Sequence, residues 1–265
     1  MSISDQFGDI RNQGESEACF AFAAADLLGF ALNLGKEDMI SAYDMLTNFM
    51  ALDSNEYVSS LERIDFSDTW NLKATANPYQ GQPPLERIHG GSPEAVMGKV
   101  LLDGSVCRED EMPSQHFLGK PLDMPLNYKE TFIIDQITAD VGTNPDPDGD
   151  VATKNMRQTA LTRCNNKIIL PPNLHARSTY ARFHSPAAMK NFILMTLFVR
   201  KPVYLAYDRC IFENCDRNKI IQHASLAVGK RIRAGKCQIQ IRDNYSQRCK
   251  KRPDVTGSQG LYWVD

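Results

Sequence analysis

The chain has 265 residues, of which 42% are hydrophobic and 23% are charged, and its formal net charge is −2 with a pI near 6.2. This composition is typical of a folded protein with a sizeable core and excludes overall intrinsic disorder. The small net charge provides no basic field for nonspecific nucleic-acid binding, and no apolar run approaches the roughly 20 residues that span a bilayer. We therefore expect no nucleic-acid partner and no membrane span.

Three segments carry helix signals. Residues 19–34 are helix formers that are apolar on almost every side, and Gly35 follows as a stop signal. Residues 92–102 and 185–200 each begin with a Ser-Pro pair, in which serine caps the helix and proline takes its first position. The first segment predicts a central buried helix with Cys19 in its first turn.

The last quarter of the chain carries strand signals instead. Short apolar or alternating runs, separated by turn residues, occur at 203–207, 224–230, 237–242 and 261–264. Helices in the first half and strands in the last quarter predict an α+β fold rather than a βαβ repeat. Residues 60–90 and 119–180 have no clear periodicity.

The seven cysteines are an odd number, which indicates pairs plus one cysteine set apart. Cys19 is the natural odd one. The candidate pairs are Cys210 with Cys215, Cys237 with Cys249, and the remaining Cys107 with Cys164. Such pairing favours an oxidising compartment, so we expect a secreted or periplasmic protein; seven reduced, mostly buried thiols are the alternative.

Cys19 has the setting of a reactive thiol. A helix N-terminus stabilises a thiolate through its dipole and its backbone N–H groups. The N–H of Cys19 and the side-chain amide of Gln13 are candidate donors to an oxyanion. His223 directly precedes an apolar strand that would hold its ring, and it is the candidate general base. The other histidines lie in loop-like segments: His89, His116, His175 and His184.

Three motifs resemble those of the papain family and occur in the family's order. Residues 12–22, NQGESEACFAF, resemble the active-site signature, with glutamine six positions before the cysteine and aromatic-Ala-Phe after it. Residues 89–93 resemble the family's Gly-Gly segment, and residues 223–229 resemble its histidine strand. The resemblance covers approximately 6–34, 86–115 and 200–264.

The resemblance implies a papain-like two-lobed α+β fold in one peptidase domain, residues 1–265. A helical lobe would occupy about 10–115 and contain the central helix. An antiparallel, β-barrel-like lobe would occupy about 116–265.

The same resemblance implies a cysteine endopeptidase. Cys19 would attack the peptide carbonyl, His223 would shuttle the proton, and Gln13 with the Cys19 amide would hold the oxyanion until the thioester is hydrolysed. Substrate contacts are expected from Gly90, Gly91 and Gln222. The expected partners are a peptide or protein substrate and, as further candidates, a pro-segment or an inhibitor. No metal and no cofactor are expected.

The third member of the triad is open between two residues. Aligned without a gap, the chain has Asp243 where the family has asparagine, and a shift of one residue places Asn244 there. Either side chain could orient His223, and an aspartate would also raise the imidazolium's pKa. Two further departures are Ser16 in place of a cysteine and Phe20 in place of a tryptophan.

Two other functions fit parts of this pattern. One is a transglutaminase-like acyl transferase, because Cys-His-Asp triads also transfer acyl groups to amines. The other is a catalytically inactive papain-fold protein that binds peptides. A purely structural interpretation treats Cys19 as a core cysteine and His223 as a strand-edge residue.

Overall fold

The computed structural model of the chain describes residues 1–11, 13, 18–66, 91–114, 162, 164–178, 185–208, 222–244, 256–258 and 260–265. Its α-helices in this part of the chain are α1 (Cys19–Ala31), α2 (Ala42–Met50), α3 (Ser54–Leu61), α4 (Pro93–Asp103) and α5 (Pro186–Phe198). Short 3₁₀ turns span Ser4–Gln6 and Lys36–Asp38. None of the described helices combines the length and apolar character that crossing a membrane requires.

The described strands are β1 (Ile64–Phe66), β2 (Ser105–Val106), β3 (Ile168–Ile169), β4 (Ala176–Ser178), β5 (Val203–Asp208), β6 (Gln222–Arg233), β7 (Lys236–Arg242), β8 (Thr256–Ser258) and β9 (Leu261–Val264). Strands β5 to β9 form one antiparallel sheet in the order β5-β6-β7-β9-β8. Two small pairs, β1 with β4 and β2 with β3, lie outside that sheet.

The helix signals in the sequence are confirmed. The hydroxyls of Ser92 and Ser185 accept hydrogen bonds from the backbone N–H groups of Ala95 and Ala188, which starts α4 and α5 as predicted. Helix α1 ends a few residues before the predicted Leu34. The chain leaves this helix where Asn33 takes a positive φ of 53°.

The sheet confirms the segregation of helices and strands, but its shape differs from the predicted barrel-like lobe. Among the described residues it is an open sheet whose edges are β5 and β8, and these two strands do not pair with each other. A barrel would require such pairing to close the sheet. The mixed α+β class is therefore observed, whereas barrel closure is not seen in the described part of the chain.

Two clusters of buried apolar residues lie on opposite faces of β6. One contains most of α1, α2 and α4 together with Leu226 and Val228, and the other contains residues of α5, β7 and β9 together with Ala227. Successive side chains of a strand point to opposite faces, so β6 separates the two clusters. Helix α1 thus packs directly on the strand that begins with Gln222 and His223.

The structure contains the Cys107–Cys164 disulfide, with the two Cα atoms 5.7 Å apart. Cys237 is instead exposed with a free thiol, so the suggested Cys237–Cys249 bridge is not formed. Cys249, Cys210 and Cys215 lie outside the described residues. The number of cysteines could suggest a Cys237–Cys249 bridge but could not establish it. Cys237 lies at the exposed end of β7.

We predict that the disulfide stabilises the fold substantially. Replacing Cys107 and Cys164 together with alanine should lower the free energy of unfolding by about 4 kcal/mol, because the bridge closes a long loop. Urea unfolding monitored by circular dichroism would measure this difference. The matched control is Cys237→Ala, which removes an exposed thiol and should change stability by less than about 0.5 kcal/mol. Equal stability of the double variant and the wild type would contradict the prediction.

Candidate active site

Cys19 is the first residue of α1, and only 8% of it is exposed. Ala18 caps the helix without a side-chain hydrogen bond, and its carbonyl accepts from the N–H of Ala21 at 2.9 Å. The first N–H groups of a helix have no partner within it, so the positive end of the helix dipole lies at the Cys19 sulfur. This environment favours an anion at that position.

Gly91 lies beside this helix N-terminus. Phe20 packs edge-to-face on Phe49 with ring centroids 5.3 Å apart. A Cβ added at Gly91 would lie 2.5 Å from the Phe20 ring and 2.8 Å from the Phe49 ring. Only glycine therefore fits at position 91, and its backbone lies next to Phe20, the residue that follows Cys19. Gly90 lies outside the described residues.

His223 is the second residue of β6, and 4% of it is exposed. It pairs across the sheet with Tyr207 of β5, whose ring packs edge-on against the imidazole with centroids 5.5 Å apart. The Tyr207 hydroxyl is 2.7 Å from the hydroxyl of Ser225, which restrains the tyrosine ring. This packing of Tyr207 on the imidazole was not revealed by the sequence, since strand register cannot be read from one sequence.

Asp243 meets the other side of the imidazole. Its Oδ1 is 2.7 Å from His223 Nε2, and the residue is fully buried. Its backbone N–H donates to the Gly260 carbonyl at 2.7 Å. Gly260 has a φ of +78°, and a Cβ there would lie 2.5 Å from the Asp243 carbonyl oxygen. A glycine at this turn therefore allows the backbone contact that holds Asp243 in place.

Strand alternation explains why Asp243 rather than Asn244 reaches the histidine. Ala227 of β6 pairs with Ile241 of β7, so these two side chains share one face of the sheet. His223 lies four residues before Ala227, and Asp243 directly follows the end of β7, two residues after Ile241, so continued alternation brings both to that face. Asn244, one residue further on, instead approaches α1, where its Nδ2 is 3.4 Å from a carboxylate oxygen of Asp26.

The imidazole is held in its protonated form by its neighbours. Burial alone lowers the pKa of His223, but hydrogen bonds to Asp243 and to the Cys19 side chain, together with the charges of both groups, raise that pKa to about 10. Because Nε2 bonds Asp243, the ring's Nδ1 is the nitrogen left for Cys19. The three residues therefore form a connected Cys–His–Asp arrangement.

A buried ion-pair cluster joins α1 to β7 close to the Cys–His–Asp arrangement. Asp26 of α1 accepts from Arg11 at 2.7 Å and from Arg242 Nε at 2.8 Å. Burial raises the pKa of Asp26, but the charges of Arg242 and Arg11 outweigh this effect and hold the pKa below its ordinary value. Arg11 also donates to the Ile40 carbonyl and to Glu109. Asp26 is therefore ionised and paired with two arginines.

The remaining predicted site residues are placed differently. Gln13 is buried, and its backbone N–H donates to the Asn244 carbonyl at 2.9 Å, which ties its segment to the end of β7. The backbone of Gln222 pairs with Asp208 of β5. A small cavity borders Phe7, Asp26 and Met39 but none of Cys19, His223 and Asp243. It is not the place where Cys19 would meet a substrate.

No protein-family model and no curated protein matches the sequence. A solved structure from a study of antibody cross-reactivity between the mite allergens Blo t 1 and Der p 1 is 13% identical, with a TM-score of 0.40. That similarity covers 98% of this chain, which spans only 62% of the mite structure. PepW from Lactobacillus rhamnosis HN001 is 11% identical with a TM-score of 0.48, covering 99% of this chain and 78% of PepW. Both TM-scores are below 0.5, so neither similarity supports an assignment of function.

We predict that Asp243 is the main group that raises the pKa of His223. In Asp243→Asn the amide keeps a hydrogen bond but loses the negative charge, so the pKa of His223 should fall by about 1 to 3 units. A nuclear magnetic resonance titration of the His223 ring would measure the change from the wild-type value near 10. The control is Asp265→Asn, which removes an exposed carboxylate at the far end of β9. An identical His223 titration in Asp243→Asn would contradict the prediction.

Proposed function

We propose that the chain is a cysteine endopeptidase with a papain-like two-lobed fold. Cys19 is its nucleophile, His223 its general acid and base, and Asp243 the group that orients His223. One observation carries the proposal: the His223 ring hydrogen-bonds both Asp243 and the side chain of Cys19, which begins a buried helix. A nucleophile, a base and an orienting group in one connected line are what covalent acyl transfer requires.

In the first half of the reaction, the Cys19 thiolate attacks the carbonyl carbon of the scissile peptide bond. The Cys19 N–H and the Gln13 side-chain amide donate to the oxyanion that forms. The His223 imidazolium then gives its proton to the leaving nitrogen, the C–N bond breaks, and a thioester remains on Cys19. His223 is neutral after this step.

In the second half, neutral His223 takes a proton from water as the water oxygen attacks the thioester. The tetrahedral intermediate collapses, the C–S bond breaks, and the new carboxylic acid leaves. The Cys19 thiolate and the His223 imidazolium are then restored. Asp243 keeps the ring oriented in both halves.

The substrate is a peptide or protein segment in extended form. Gly91 supports this assignment, because its backbone lies beside the N-terminus of α1 and no side chain projects from it. We assign the same role to Gly90 and Gln222 by the sequence resemblance alone. The Cys107–Cys164 disulfide supports a secreted or periplasmic location.

We predict that a papain-type epoxide inhibitor labels Cys19 selectively. Intact-mass spectrometry should detect one adduct in the wild type and none in Cys19→Ala or His223→Ala. Peptide hydrolysis should fall by about 10⁴-fold or more in both variants, because nucleophile and base act as a unit. Cys237 is the internal control: its thiol is exposed and should react with a general alkylating reagent but not with the epoxide.

Each alternative function gives a different result in the same assay. Epoxide labelling of Cys19 without hydrolysis, combined with transfer of the acyl group to an added amine, would favour an acyl transferase. Peptide binding without labelling or turnover would favour an inactive peptide-binding protein. Labelling spread over several cysteines would overturn the assignment of Cys19 as the activated thiol.

We also predict an alkaline pH profile for peptide hydrolysis. Acylation needs the protonated His223 ring, so activity is present below the pKa of His223 and is lost as the pH rises through about 10. Asp243→Asn should move this alkaline limb of kcat/KM downward by about 1 to 3 pH units. Initial rates across the pH range would locate the alkaline limb in the wild type and in the variant. A wild-type alkaline limb near neutral pH would contradict the role given to Asp243.

A further inference from the structure

Asp26 is a buried charge in a helix that is otherwise apolar. Only 6% of it is exposed, and it lies seven residues after Cys19 in α1. Seven residues are nearly two full helical turns, so Asp26 lies on the same side of the helix as Cys19, about 10 Å further along its axis. It touches neither Cys19 nor His223 in any described hydrogen bond, so it has no direct place in the reaction.

Asp26 contacts the residues on both sides of the triad carboxylate. One carboxylate oxygen accepts from Arg242 Nε at 2.8 Å and, at a longer 3.4 Å, from Asn244 Nδ2. Arg242 ends β7 and Asn244 follows Asp243, and both side chains reach Asp26 of α1, whereas Asp243 reaches His223. The two contacts therefore restrain the residues immediately before and after Asp243 against α1.

Arg242 is anchored further by a second contact. Its NH2 group donates to the Asp9 carbonyl at 2.9 Å, and its guanidinium lies 5.2 Å from the centroid of the Phe7 ring. These contacts leave Arg242 little freedom to change rotamer. A one-residue slip of the strand would turn Arg242 away from Asp26 and place Asn244 towards His223.

We propose that Asp26 is a positioning residue for Asp243: by holding Arg242 and Asn244, it fixes which residue of this strand end faces His223. The inference rests on the proposed cysteine peptidase function. It adds that the helix carrying the nucleophile also sets the orientation of the histidine's partner. One rigid element thereby aligns the two ends of the triad.

The test removes the Asp26–Arg242 pair without leaving an unpaired buried charge. The double variant Asp26→Leu with Arg242→Met deletes one negative and one positive charge, and Arg11 keeps its ion pair with Glu109. We expect kcat to fall about 10- to 100-fold with KM changed less than about threefold, because the triad is misaligned while the substrate contacts remain. The alkaline limb of kcat/KM and the His223 titration should both move to lower pH.

The matched control removes an ion pair of another buried cation, away from the site. Lys99 is buried and pairs with the partly exposed carboxylates of Glu56 at 3.1 Å and Asp103 at 2.8 Å, so Lys99→Met with Glu56→Gln likewise deletes one positive and one negative charge, between α3 and α4. This control can lower stability, but it should leave both the alkaline limb and the His223 titration at their wild-type positions. An equal shift in the control would mean that Asp26 acts only through general stability, and would overturn the proposal.

A conservative variant decides the question if the double variant does not fold. Arg242→Lys keeps the buried positive charge but cannot reproduce the guanidinium's paired contacts with Asp26 and Asp9. It should lower kcat and move the His223 titration in the same direction, and Asp26→Glu should retain more activity than Arg242→Lys. A folded Arg242→Lys or double variant with wild-type kcat and wild-type titration would overturn the proposal.

The titration separates this inference from the proposed function. If wild-type protein neither hydrolyses peptides nor reacts with the epoxide, the proposed function fails, but the His223 titration of the variants still reports whether Asp26 positions Asp243. If the wild type is active and the titration is unchanged in the folded variants, the positioning role fails alone.

Discussion

The structure depends on one buried carboxylate, that of Asp26, between two arginines. An isolated charge inside an apolar helix would be very costly, and the ion pairs with Arg11 and Arg242 offset that cost. The two arginines come from the N-terminal segment and from β7, whereas Asp26 belongs to α1. The single charge therefore requires three distant parts of the chain to meet at one point. Removing the carboxylate alone, or an arginine alone, would leave a buried charge unbalanced.

The cluster continues from this point into the helical part of the structure. Arg11 donates to Glu109, and Glu109 accepts from the hydroxyl of Ser114 at 2.6 Å. The Ser114 hydroxyl in turn accepts from the N–H of Ala42 at 2.8 Å, at the start of α2. A continuous line of buried and partly buried polar contacts thus runs from β7 to α2 through α1. Because every step is a charged or directional contact, it specifies how the sheet is placed against the helices, which apolar packing alone does less strictly.

The sequence predicted the parts of the fold that depend on local signals. The all-apolar pattern of α1 and the Ser-Pro starts of α4 and α5 are local, and each predicted a helix where one occurs. Helices α2 and α3 also begin with side-chain caps, Ser41 and Asp53, but we did not predict these two helices. Contacts between distant segments were not readable. The pairing of Tyr207 with His223 and the meeting of Asp26 with Arg242 depend on strand register and helix placement, which one sequence does not contain.

The aspartate in the third position of the proposed triad affects the two proton transfers of His223 differently. An asparagine would orient the ring without adding a charge, so the thiolate would be the one anion paired with the imidazolium. Asp243 supplies a second negative charge at 2.7 Å from the ring, so the imidazolium remains favoured after the thiolate has become a neutral thioester. The same charge widens the pH range over which the ring is protonated and can donate to the leaving amine, but it makes the neutral ring, which must accept a proton from water, a rarer species. In the proposed reaction, hydrolysis of the acyl-enzyme is therefore the step that would gain most from a higher pH.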